Sequence, residues 1–158
     1  MSHLDEMAEP AVQKLLGSEE DQLYEQLGLR IRALTIDPAI AGSFDPEVTY
    51  DEAQMGAKED ILALGKAIFS RWNSEAHKLI CGTGSGEQAD RKSVREAFGL
   101  GETAVAAGLA GLLVTNLGLA PALAGVIAAI ICKRFFRPAY EEFCAAWGKV
   151  VETQPHAL

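Results

Sequence analysis

His77 and Cys81 stand four residues apart, a spacing that on a helix places an imidazole and a thiol on one face, with Glu75 nearby. Such a pair could do nucleophilic chemistry, the imidazole accepting the thiol proton so that the thiolate attacks. No third residue in this stretch is placed to orient the imidazole, so His77 and Cys81 are only weak catalytic candidates and the chain is expected not to be an enzyme. The run Gly82-Thr83-Gly84-Ser85-Gly86 carries neither GxxxxGK[ST] nor GxGxxG and follows a helix instead of a strand. Thr83 also occupies the place where a GxSxG elbow needs serine. The run therefore reads as a linker, because glycine loses the most entropy on ordering.

Other polar clusters are equally plain. Glu141 and Glu142 are adjacent, so they point about 100° apart on a helix and form no acid–base pair. Arg91, Lys92 and Arg95 make one basic turn, which on an acidic protein is expected to meet an acidic neighbour. His3 and His156 fall in the terminal segments, and neither histidine nor cysteine recurs at a metal-ligand spacing, so no metal and no cofactor is expected.

These residues sit in a chain of 158 residues, 49% apolar and 7% aromatic, with a net charge of −8. That apolar share excludes a disordered chain, and the negative charge repels phosphate backbones, so nucleic acid is not expected as a partner. The acidity is concentrated: residues 1–60 hold 14 acids against 4 bases. Three cysteines, Cys81, Cys132 and Cys144, are an odd number without CxxC spacing, which fits a reducing cytosol and no disulfide framework. Met1 to Pro10 contains no basic region followed by an apolar stretch, so the expected location is cytoplasmic, with membrane association as the alternative, and not secreted.

Helical periodicity dominates the chain. A capping box at Ser18 and Asp21 should open a helix with Leu23, Leu27, Ile31 and Leu34 on one face, stopping before Asp37-Pro38, where Asp37 can cap a short turn. Asp45-Pro46-Glu47 repeats that turn signal, and Thr49 and Glu52 form another capping box. From Lys58 the stripe Ile61, Gly65, Ile68, Trp72, Ala76 and Leu79 predicts a central helix. A basic helix over about 90–98 and an aromatic one over about 137–151, with Tyr140, Phe143, Trp147 and Val150 on one face, complete the pattern. Trp72 and Trp147 are expected in the core, and Cys132 and Cys144 are expected to act there as small hydrophobes. No segment alternates with period two. The expected fold is all-α, one domain of about six or seven helices spanning 1–158 around a central hydrophobic helical hairpin. Its parts are an N-terminal arm or helix (1–17), an acidic helical layer (18–81), a glycine-rich linker (82–89), the helices of 90–151, and a tail (152–158).

That hairpin is the most distinctive segment. Thr103 to Cys132 runs 30 residues without a charge, and Ala and Gly supply 13 of the 29 from Ala104 to Cys132. Gly118 and Pro121 break the run, one suited to a left-handed helix end and the other to a helix start, so two short arms are expected with Leu119 packing back on Val114. At about 21 to 23 Å each arm falls short of a roughly 30 Å hydrocarbon core.

The associating surface is expected at Gly108, Gly111, Leu112, Leu119, Pro121, Gly125, Val126, Ile127, Ile130 and Ile131. The functional expectation is a non-enzymatic interaction or regulatory protein that forms a homo-oligomer, or binds a protein partner, through this hairpin. One alternative is a membrane-associated or permeabilising protein that inserts residues 103–132. A second is the weak Cys/His enzyme.

Overall fold

Residues 3–82 and 88–153 are described by a computed structural model, and among them every regular element is helical. Helix α1 (His3–Leu16) leads into α2 (Glu20–Ile36), a 3-10 turn (Pro38–Gly42), the single turn α3 (Glu52–Met55) and the long α4 (Lys58–Cys81). Then come α5 (Gln88–Phe98), the hairpin arms α6 (Glu102–Leu117) and α7 (Pro121–Phe135), and α8 (Tyr140–Thr153). The protein is an all-α bundle. The glycine run at 83–86 and the tail at 154–158, with His156, lie outside the described residues.

The local signals act much as physical chemistry dictates, with displacements. Asp37 Oδ1 accepts from the Ala39 amide and so starts the Pro38 turn. The box that opens α2 is Glu19 with Gln22, not Ser18 with Asp21: the Glu19 amide donates to Gln22 Oε1 at 2.9 Å. Asp51, not Thr49, caps α3, because its carboxylate reaches the Ala53 amide. Asp45-Pro46 opens no helix, α5 starts at Gln88, within the segment expected as linker, and α8 starts at Tyr140, beyond Pro138.

Around the hairpin the amphipathic helices form a shell. Helix α1 lies along α6, α2 and α8 pack on α7, α5 packs on α6, and α4 packs outside against α2 and α8. The buried face of α4 is Ile61, Gly65, Phe69, Asn73, Ala76, Leu79 and Ile80, so Phe69 takes the core place expected of Ile68, and Trp72 is only half-buried. Trp147 and Phe143 of α8 are fully buried. Among the described residues no helix is long and apolar enough to cross a membrane.

Candidate functional site

The turn of the hairpin is built as its residues require. Gly118 takes a left-handed conformation (φ 68°) and its amide reaches back to the Leu113 carbonyl, which also accepts from Leu119 at 3.3 Å. Pro121 then opens α7 where its missing N–H is not needed. Of the residues expected at an associating surface, Val126, Ile127, Ile130 and Ile131 are wholly buried inside the chain, and Gly111, Leu119 and Gly125 are buried with them. Gly111 is buried for a reason of shape: a Cβ there would overlap the carboxylate of Asp5, which α1 lays against α6. At Gly125 a Cβ would meet the Phe44 ring at 3.6 Å, an ordinary van der Waals contact, so no overlap requires glycine there.

Part of α6 does reach the surface. Gly108 and Leu112 are half-buried, Thr115 and Asn116 are exposed, and the steps of four and three put them on one stripe. A Cβ at Gly108 would meet nothing within 4 Å. No charged side chain lies on this stripe. Pro121 is half-buried at the hairpin turn.

The thiol–imidazole pair takes a different form from the one its spacing suggests. Cys81 is bonded to Cys144 across α4 and α8 (S–S 2.09 Å, Cα–Cα 5.7 Å), which corrects the expectations of no disulfide and of Cys144 as a small hydrophobe. His77 turns to the same junction, its Nε2–H donating to the Cys144 carbonyl at 3.2 Å and its ring standing edge-on to Trp147 at 5.1 Å. Gly148, one turn beyond Cys144, leaves room for the imidazole. A thiolate nucleophile needs a free sulfur, whereas here the Cys81 sulfur is bonded to Cys144, and the imidazole and the disulfide both fasten α8 to α4. Trp147 Nε1 adds a 2.6 Å bond to Asn73 Oδ1, and the Tyr140 hydroxyl donates to the Ile80 carbonyl.

Arg30 is the polar residue that the sequence conceals best. It is 2% exposed at the meeting of α2, α7 and the segment after the 3-10 turn. Its Nη1 donates to the carbonyls of Phe44 (3.0 Å) and Ala122 (3.1 Å), Nε to Gln26 Oε1 (3.3 Å), and Nη2 to Asp45 Oδ1 at 3.5 Å. Burial pulls the guanidinium's pKa down and Asp45 pushes it back up. Asp45 also pairs with Lys14 at 3.3 Å, and the three line a cleft of about 560 Å³. Periodicity shows Arg30 only as a basic residue in an amphipathic helix; no local signal names its partners.

The remaining groups serve packing. Burial pushes the Cys132 thiol far above its ordinary range, leaving it neutral and unreactive. Arg91 is buried and donates to the Leu79 carbonyl, so it ties α5 to α4; Arg95 stacks over the Tyr140 ring at 4.6 Å. Glu141 and Glu142 are exposed. Arg134 donates to the Tyr24 hydroxyl at 3.0 Å and pairs with Glu20 at 3.4 Å. Among the described residues no group of three or more His, Cys, Asp or Glu is placed to hold a metal ion. Comparison with protein-family models, curated proteins and solved structures finds no match to this chain.

Proposed function

We propose that the chain is a non-enzymatic helical protein that works by self-association, two copies meeting through the outer stripe of α6. The observation that carries this reading is the stripe itself: Gly108, Leu112, Thr115 and Asn116 form an uncharged strip at the surface of a protein with a net charge of −8. Two such copies repel each other over most of their surfaces, and an uncharged strip is where they can approach without opposing like charges. Gly108 carries no side chain to hold a second backbone away, and close approach between small residues strengthens helix–helix packing. The buried part of the hairpin supports the strip from beneath and makes no contact between copies.

Sedimentation velocity over a range of concentrations, without detergent, tests the reading. A concentration-dependent dimer is expected, together with a monomer for Leu112→Glu and for the exposed Thr115→Glu at unchanged melting temperature. A strictly monomeric chain at high concentration, or a dimer indifferent to both substitutions, would overturn it.

A further inference from the structure

The end of α1, the middle of α2 and the segment after the 3-10 turn frame a cleft of about 560 Å³, within the range of about 300–1,000 Å³ usual for small-molecule sites. Arg30 forms part of its wall. Three of its N–H groups are spent on Gln26, Phe44 and Ala122, which fixes the plane of the guanidinium and leaves Nη2 with a single partner, Asp45. That contact, 3.5 Å, is well beyond the roughly 2.7–2.9 Å of a strong charge-assisted bond. The other oxygen of Asp45 lies 3.3 Å from the exposed Lys14 ammonium, so one carboxylate is shared between two cations and satisfies neither tightly. Asp45 is itself 44% exposed and belongs to a segment without helix or strand, so it can turn to water with little loss.

We propose that this cleft binds a small organic monocarboxylate, whose carboxylate replaces Asp45 between Arg30 and Lys14 and whose apolar part lies along Leu15, Pro46 and Val48. The chemistry selects that class. A buried, pre-oriented guanidinium offers Nη2 to one carboxylate oxygen while Lys14 faces the other, and three apolar residues in the lining favour a short hydrocarbon. Glu47 also lines the cleft, so with Asp45 turned away the lining carries two positive charges and one negative, which suits one carboxylate and disfavours phosphate. The site does not depend on the α6 stripe.

An amide-resolved NMR titration of the full chain with hexanoate tests the proposal, with hexanamide and inorganic phosphate as comparisons. Saturable shifts centred on Arg30 and Val48 are expected for hexanoate at millimolar concentration. Asp45→Asn should bind at least fivefold more tightly, because the competing carboxylate is gone, and Lys14→Gln should weaken binding severalfold. Hexanamide and phosphate should give no saturable shift there. The proposal is overturned if hexanoate fails to saturate in both the unsubstituted protein and a natively dispersed Asp45→Asn. It is also overturned if hexanamide or phosphate binds as well as hexanoate, or if Lys14→Gln changes nothing.

Discussion

Gly65 of α4 lies directly against the carbonyl oxygen of Tyr24 in α2, so close that a Cβ at Gly65 would overlap it. One turn away the relationship is reciprocal, since a Cβ at Gly28 would overlap the Ile61 carbonyl. The obstacle in both cases is backbone, which cannot swing aside as a side chain can. Gly65→Ala should therefore destabilise the fold by about 3 kcal/mol, despite the gain of up to about 1 kcal/mol that alanine brings to an open helical position. Gly108→Ala, where nothing stands within 4 Å, should show that gain. Urea unfolding of the two variants checks the contrast.

The Cys81–Cys144 bond spans 63 residues of sequence. Loop-closure entropy for that length gives about 4 kcal/mol of stabilisation relative to the reduced chain. Adding a dithiol reductant, or replacing both cysteines by serine, should lower the melting temperature accordingly. Amide exchange should quicken first in α8, the helix that the bond fastens to α4.

Trp147→Phe keeps an aromatic ring in the core but removes the N–H that Asn73 Oδ1 accepts at 2.6 Å. A buried acceptor that loses its donor costs about 1–3 kcal/mol, so a loss near 2 kcal/mol is expected. Trp72→Phe, at a half-buried position, should cost less than about 1 kcal/mol by the same unfolding measurement.

Cys132 sets a pH signature. Its thiol is held neutral in the fold well above the ordinary thiol range, while the unfolded chain ionises there normally. Its contribution to stability is thus complete below about pH 8.5 and falls by about 1.4 kcal/mol for each further pH unit, until the buried thiol itself ionises. Between pH 8 and 10 the urea midpoint should drop more steeply for the unsubstituted protein than for Cys132→Ala. A thiol reagent should count no reactive sulfur in the native protein and one after denaturation.

Much of this architecture was legible from local chemistry. Gly118 and Pro121 punctuate the hairpin because a left-handed residue and a residue without an N–H each have few places in a helix, and Asp37-Pro38 marks its turn for the same reason. Capping was harder to place. Ser18, Glu19 and Thr49, Asp51 are near neighbours with similar acceptors, and the entry angle of the chain decides between them. Phe69 displaced Ile68 from the core because adjacent positions differ by about 100°, a rotation fixed by the partner helix and not by the stripe. Arg30 and Ala122, 92 residues apart, and Cys81 and Cys144 meet only once the bundle has formed. Nothing in their own surroundings announces it. The α6 stripe was partly visible, since Gly108 and Leu112 were expected at a surface. The burial of Val126 to Ile131 followed from how completely the shell helices close.

The bond between Cys81 and Cys144 also makes a closed covalent ring, and α5, α6 and α7 lie wholly within it. A backbone cut anywhere from 82 to 143 leaves one molecule. The hairpin is rooted on both sides at the same sulfur bridge, so it cannot be traded with a neighbouring copy by swinging out on a single arm. Two chains that exchange structure while this bridge is intact must do so with segments outside the ring, α1, α2 and α3 among them.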